Sequence, residues 1–491
     1  MRTGAEYLRN LKDARNVYLD GHRVDDVTAH PAFAGVTRTI ASLYDLSSGA
    51  PELQARHAEH GLINATYLQP RNAGDLRTRR VAVGRWAELS NGFVGRSPDH
   101  VGSFLAGFAS APEIFDERRP GTGANVTRAY AELVREDLYF SYTIIPPQNS
   151  GSKPGAPPDT HTSQVGVASE RDDGVIVRGA QMLGTGSAIS DRLFVSCIKP
   201  LRPGEEDLAL SFVLPIATEG LKLYCRRPYA VGQPSSFDYP LSSRFDEPDA
   251  MAVFDQVLVP WENVFVYRSI DGVRDQFHRT AAHVLGNSQA QVRLMIKVKF
   301  LLGLAVSVCE ANGLTTLPAV QEKLAELASL ASVVEGMVLA AESAASTDEF
   351  GIHRPGRRFL YGIMGLQAEL YPRVLHILRE LSGAGVIGTA SSYRDLTSAQ
   401  TRGDMAQYLA DSEEDLQQRT KLFKLVWDAI GSEFAGRHHQ YEMFYAGAPF
   451  VARGYALRNY DLEEPKALAR RFLESYSLAD VVTDAAVQPI V

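Results

Sequence analysis

The sequence predicts an α+β subunit in three parts: an N-terminal helical domain over residues 1–140, a middle antiparallel β-barrel or sheet domain over 141–270, and a C-terminal four-helix bundle over 271–491. Three observations carry this. Apolar residues recur at helical spacing through most of the first 140 positions. Short runs rich in Val, Ile, Leu and Phe, divided by Gly, Pro, Asp or Ser, fill 165–267 without a βαβ rhythm. From Gly272 onward the period is helical again, in segments long enough for an antiparallel bundle.

Taken in order, Thr3 is placed to cap a short helix, TGAEYLRNLKDA, and RNVYLDGHRV reads as a hairpin turning at Asp20-Gly21. Helical patterns follow at 31–46, 73–92, 99–110 and 122–138, and His57 and His60 fall on a surface helix. PPQNSGSKPGAPPDT (146–160) holds too many breakers for a helix and reads as a loop. The β-type runs are 165–169, 174–183, 192–198, 208–216, 221–225, 251–260 and 263–267. Long helices are expected at 281–311, 316–346, 357–383 and 413–446, with a last one near 464–476.

Composition excludes several classes. The chain has 491 residues and a net charge of −8, and its basic residues are scattered, so a polyanion partner is not expected. Cys197, Cys225 and Cys309 lie far apart, which excludes a disulfide framework or a CxxC zinc site and suits a reducing, cytoplasmic setting. The N-terminus lacks an apolar signal core, and no apolar run is read as approaching the ~20 residues of a membrane span. Neither GTGANV (121–126) nor GTGSAI (184–189) completes a dinucleotide fingerprint, so a redox role needs electrons from elsewhere. The histidines show no metal-binding spacing, and no metal is expected.

Five stretches could carry chemistry. In GRSPDHV (95–101), Ser97 and Pro98 start a helix, so Arg96 projects from a loop at its positive end with His100 one turn inside. The setting suits a phenolate or carboxylate; a capped helix with a surface arginine is the plainer reading. EDLYFSYTIIPPQ (136–148) puts Tyr142 and Gln148 at the entry to the sheet, and an outward strand tyrosine is the alternative. RGAQMLGTG (178–186) sets Thr185 between glycines, which suit either a close ligand or a bulge. GSEFAGRHHQYEMFYAG (431–447) gathers Ser432, Phe434, Gly436 and Arg437, fitted to a ring system and its phosphate, or to helix packing alone. The sharpest is HVLGNSQAQVRLMIKVKFLLGLA (283–305), where His283 opens a long apolar helix that also carries Arg293, Lys297 and Lys299. A helix N-terminus disfavours the imidazolium, so His283 is expected to be a neutral general base.

Together, RTGAEYLRNLKDARNVYLDGHRVDDVTAHPAF, GRSPDH, PPQ, RGAQMLGTG, the 283–305 stretch and GSEFAGRHHQYE resemble, in this order, the 4-hydroxyphenylacetate 3-hydroxylase family over essentially the whole chain. The resemblance implies an acyl-CoA-dehydrogenase-like fold, usually a homotetramer. It also implies the oxygenase component of a two-component monooxygenase, which takes FADH2 from a separate NAD(P)H:flavin reductase. With O2 as cosubstrate such an enzyme hydroxylates a phenol through a C4a-hydroperoxyflavin. By motif, Arg96 faces the substrate hydroxyl, with His100 and Tyr142 beside it. Gln148, Thr185 and the Ser432–Arg437 segment contact FAD, and His283 matches a base proposed in the chlorophenol-type branch. His100 and Tyr142 depart from the tyrosine and histidine of the 4-hydroxyphenylacetate enzymes, so the pocket is rebuilt. N-oxidation of a nitrogen-containing aromatic, or a non-catalytic flavin-binding scaffold, are the alternatives. A related dehydratase type needs three cysteines and a histidine for an iron–sulfur cluster, and Ala290 stands seven residues after His283.

Overall fold

The computed structural model describes residues 1–148, 163–230 and 235–480, so most of the expected 146–160 loop lies outside the described residues. α1 (Gly4–Asn10) starts on a capping box in which Thr3 and Glu6 exchange side-chain-to-backbone bonds. Asp20 and Gly21, at φ 52° and 77°, join β1 (Val17–Leu19) to β2 (His22–Val24), as a two-residue hairpin requires. α2 (Pro31–Gly49) follows. Residues 54–64 are a hairpin, β3 (Gln54–His57) with β4 (Gly61–Asn64), and not the helix expected to carry His57 and His60. Gly61 at φ 71° closes its turn, and the two imidazoles stack 4.7 Å apart. α3 (Ala73–Leu89), α4 (Pro98–Phe108), α5 (Glu113–Asp116) and α6 (Thr122–Glu136) complete the first helical layer.

The β layer holds β5 (Phe140–Thr143), β6 (Gly166–Arg171), β7 (Gly174–Gln181), β8 (Arg192–Val195), β9 (Leu210–Pro215) and β10 (Leu221–Cys225). After the short α7 (Ser242–Phe245) come β11 (Ala250–Pro260) and β12 (Val264–Tyr267). Among the described residues these strands form two open sheets, ordered β2-β1-β10-β11-β7-β6 and β12-β9-β8-β5, so the barrel alternative is not adopted. The sheets are also not purely antiparallel. β1 pairs with β10 and β5 with β8 in parallel, because strands from the N-terminal part complete both sheets.

The C-terminal part opens with α8 (Ile270–His278), α9 (Ala282–Ala311) and α10 (Pro318–Ser343). A small hairpin, β13 (Ser346–Thr347) with β14 (His353–Arg354), leads to α11 (Arg357–Ser382), α12 (Tyr393–Thr397) and α13 (Arg402–Leu409). Then come α14 (Glu413–Ile430), α15 (Glu433–Phe444), α16 (Pro449–Arg458) and α17 (Glu463–Leu473). The single helix expected over 413–446 is broken at Gly431–Ser432, where Ser432 accepts from the Ala435 amide and caps a new helix. α9 is the axis of the bundle, packed against α3, α4, α10, α11 and α14 and buried nearly all round. α10 does have the length and apolarity to cross a bilayer, contrary to the expectation that no run approaches it. One side of α10, with Leu327, Val334 and Val338, is buried in the bundle.

Two cations on α9 are buried with their counter-ion. Glu442 on α15 takes Arg293 at 2.6 Å and Lys297 at 2.9 Å, and the Gln367 amide donates to it at 2.8 Å. The paired cations hold Glu442 near 2, while burial lowers Lys297 to about 8. This network ties α9 to α11 and α15 beneath the site.

Candidate active site

The loop before α4 enters the junction of the three layers. Glu247 receives the amides of Gly95 at 2.9 Å and Arg96 at 2.6 Å, and the Tyr139 hydroxyl donates to the Arg96 carbonyl at 2.6 Å. The Arg96 backbone is therefore fixed from two sides. Its guanidinium lies against the rings of Tyr142, Tyr441 and Tyr445, at 5.1, 5.2 and 4.8 Å. Ser97 does not bond the helix backbone; its hydroxyl donates to Asp99.

His100 completes this group. Its Nδ1 stands 3.1 Å from Gln289 Oε1, which can only accept, so Nδ1 carries the proton. Nε2 is then left to accept from Arg96 Nη1 at 2.5 Å. Burial, aided by the Arg96 charge, keeps the ring neutral well below its usual value. Both nitrogens are committed to the protein, so His100 positions Arg96 and is not free to move a proton. Gln289 in turn donates to Asp99, whose carboxyl burial pushes up to about 6.

The 184–186 loop packs behind this group. Gly186 has φ 78°, and a Cβ there would stand 2.3 Å from the Tyr139 hydroxyl, so only glycine lets the loop lie against it. Thr185 donates to Asp249 at 2.6 Å, and Asp249 also takes Arg437 at 2.8 Å and Arg226 at 2.8 Å. Arg437 reaches Glu247 as well, at 3.3 Å. Ser432 donates to Asp428, and Phe434 is fully buried against Phe93 and His438. Thr185, Ser432, Phe434 and Arg437 thus have intramolecular partners. Gln148 and Gly436 are exposed, and a Cβ at Gly436 would meet nothing within 4 Å, so a planar ring can approach the α15 backbone there.

His283 lies elsewhere on α9. It lines a cavity of about 670 Å³ between the β8–β9 loop, α8, α9, α11 and α16, a volume suited to a small aromatic ligand. Phe277, Tyr361 and Tyr455 supply aromatic wall. Lys199, Arg274, Arg357 and Arg458 line it too, and among the described residues no Asp or Glu does. Tyr361 Oη is 2.8 Å from His283 Nδ1 and Asn287 Nδ2 is 3.3 Å away. An amide nitrogen can only donate, so Nδ1 accepts and the proton sits on Nε2. Burial, then His278 and Arg357, lower His283 to about 3.

The structure brings Arg96, His100 and Tyr142 together, the two rings 5.4 Å apart, but does not seat them on the cavity wall beside His283. Phe104 touches both groups: its ring is 5.3 Å from His100 and 5.8 Å from Phe277. Gln289 and His283 are six residues apart on α9, about 9 Å along its axis.

This architecture has known counterparts. Residues 3–266 match the model of the 4-hydroxyphenylacetate 3-hydroxylase N terminal domain and residues 273–474 that of the C terminal domain. The chain belongs to the 4-hydroxyphenylacetate 3-hydroxylase family. Among relatives, the pyoverdin chromophore biosynthetic protein PvcC of Pseudomonas aeruginosa is 34% identical, covering 97% of this chain and 96% of that one. The oxygenase component of 4-nitrophenol 2-monooxygenase of Rhodococcus sp. is 33% identical, covering 96% and 91%. A crystal structure of the oxygenase component of 4-hydroxyphenylacetate 3-monooxygenase, complexed with FAD and 4-hydroxyphenylacetate, superposes with a TM-score of 0.90 at 32% identity, covering 97% and 99%. An archaeal 4-hydroxybutyryl-CoA dehydratase shares the fold at a TM-score of 0.87 and 17% identity. Among the described residues no three His, Cys, Asp or Glu side chains are grouped to hold a metal.

Within the family frame, sequence reasoning missed Tyr441, Tyr445, Gln289 and Tyr361. Tyr441 and Tyr445 stand one helical turn apart, a signal for a shared face; Gln289 and Tyr361 carry no local signal, since each matters only through a distant histidine.

Proposed function

We propose that the chain is the oxygenase component of a two-component monooxygenase that hydroxylates a phenol with O2 and reduced FAD from a separate flavin reductase. The activities of its relatives support this, and so does the exposed edge at Gly436, where a flavin ring can lie along α15. Reduced FAD, when bound, supplies the activated oxygen.

The observation that carries the chemistry is the one-signed charge of the His283 cavity. Burial, then His278 and Arg357, hold His283 near 3, and cations lining the cavity, with no carboxylate among its described lining residues, favour a phenolate over a phenol. At that value His283 is a poor base. It acts as a hydrogen-bond donor, its Nε2–H held toward the phenolate oxygen and keeping its own proton, while Tyr361 and Asn287 hold the ring in that tautomer. The phenolate then directs electron density to the ring carbon that receives oxygen. Phe277, Leu201 and Val284 line the cavity and limit water. Arg96 offers a second place for the phenolic oxygen, because among the described residues its guanidinium hydrogen-bonds neutral His100 and no carboxylate.

Titration of bound 4-nitrophenol by its phenolate absorbance tests this. Binding is expected to keep the probe ionised at a pH where free probe is protonated. The variant that abolishes the effect, His283→Gln or Arg96→Gln, locates the oxygen. An unshifted probe, with no phenol hydroxylated when reductase and FAD are added, overturns the reading. A homotetramer is proposed on the exposed Phe450, Phe472 and Leu478 near the C-terminus, and light scattering of the purified chain checks it.

A further inference from the structure

Asp99, Gln289, His100 and Arg96 form one chain of hydrogen bonds that runs in a single direction. Gln289 Nε2 stands 3.2 Å from Asp99 Oδ1, Gln289 Oε1 stands 3.1 Å from His100 Nδ1, and His100 Nε2 stands 2.5 Å from Arg96 Nη1. Asp99, Gln289 and His100 are all buried. The Ser97 hydroxyl donates to the same Asp99 oxygen at 2.5 Å. Arg79 on α3 braces the far end: it donates to Ser103 Oγ at 2.8 Å, and that hydroxyl donates to the Asp99 carbonyl at 2.7 Å.

The direction is set at Asp99. An ionised carboxylate accepts only, so Gln289 must turn its NH2 toward it. The amide oxygen then faces His100, which puts the proton on Nδ1 and leaves Nε2 as a lone pair for Arg96. With the amide turned over, its oxygen would face the carboxylate and an Nε2–H would face the guanidinium, two mismatches in a buried site. Arg96 therefore meets a neutral acceptor. A carboxylate in that place would also hold the guanidinium, but it would cancel the charge. Glu247, the carboxylate that acts on Arg96, is itself taken up by the Gly95 and Arg96 amides and by Arg437.

Resting on the reading that Arg96 can take the phenolic oxygen, we infer that Asp99 and Gln289 are positioning residues for Arg96. Acting through His100, they hold the guanidinium by a neutral lone pair and leave its charge available to a phenolate.

Nitrogen-15 NMR of the full chain labelled at histidine separates Nδ1–H from Nε2–H, and the His100 signal is the one lost in His100→Gln. At about pH 8, where Asp99 is ionised, native His100 should be the Nδ1–H tautomer. Arg96 also requires Nε2 to accept, so Arg96→Met and Arg96→Met/Gln289→Met decide which end directs the chain. The tautomer should persist in the first and become mixed in the second. Gln289→Met alone should weaken 4-nitrophenolate binding on the order of five- to tenfold, the effect of one hydrogen bond of ~1 kcal/mol, and should change nothing further once Arg96 is Met. Circular dichroism and the melting temperature establish that each variant is folded. An Nε2–H tautomer in the native chain overturns the inference without any variant, and so does loss of Nδ1–H in Arg96→Met. No weakening by Gln289→Met, or equal weakening with and without Arg96, also overturns it. A persistent Nδ1–H and a binding loss coupled to Arg96, in a chain that hydroxylates no phenol, leave this inference standing and remove the proposed activity.

Discussion

Tyr361 Oη stands 2.8 Å from Nδ1 of His283, a nitrogen that the Asn287 amide fixes as an acceptor, so the hydroxyl donates to it. The two residues are 78 positions apart, on α9 and α11. With Asn287 also donating to Nδ1, the ring presents Nε2–H. The His283–Tyr361 pair is therefore a polarised donor.

His283→Gln keeps a donor of similar reach and should retain more hydroxylation than His283→Ala. A general base typically contributes ~10²–10⁴-fold, and Gln cannot replace one. Steady-state product formation with the reductase present compares the two variants. Equal losses in both would mean the imidazole acts as a base. Tyr361→Phe frees Nδ1 and should lower kcat/KM about tenfold, the weight of one hydrogen bond of ~1 kcal/mol or more.

The buried histidine also shapes acid stability. His283 is lowered from 6.5 to about 3 when folded, so between these values the unfolded chain binds a proton that the folded chain does not. Stability from this group is complete above pH 6.5 and is lost as pH falls toward 3. Urea titrations should show that His283→Gln loses at most about 2 kcal/mol less than the parent between pH 7.5 and pH 5. Asp99, raised to about 6, has the opposite sign over pH 4–6, and both proteins share it.

Removing Glu442 leaves Arg293 and Lys297 buried without their counter-ion. Glu442→Gln should cost about 3–5 kcal/mol in a denaturant titration. Replacing Glu442, Arg293 and Lys297 together with apolar residues of similar volume should recover most of that loss.

Gly186→Ala tests the wall behind Arg96. The new methyl falls 2.3 Å from the Tyr139 hydroxyl at φ 78°, so Tyr139 must yield and release the Arg96 carbonyl. A stability loss of about 1–3 kcal/mol is expected in thermal melts. Tyr139→Phe, which removes the bond without strain, should show the same change in phenol binding with a smaller loss of stability.

Much of this protein was legible before folding. The Thr3 cap, the Asp20–Gly21 turn, the β runs and α9 follow from local chemistry and period, and they appear within a few residues of their expected bounds. Local signals failed where a break is brief or the period is short. Ser432 restarts a helix inside a continuous apolar pattern, and residues 54–64 pair as a hairpin instead of coiling.

The candidate site divides along the same line. Sequence by itself determined which groups are available: Arg96 at a helix entrance, His283 at the head of the central helix, and glycines at 184 and 186. Tertiary structure decided what they can do. Gln289 and Arg96 occupy both nitrogens of His100, Tyr361 and Asn287 assign the proton of His283, and Asp249 neutralises Arg437. Proton placement and charge pairing depend on contacts across tens to hundreds of residues, and local sequence encodes the donors and acceptors without saying which will meet.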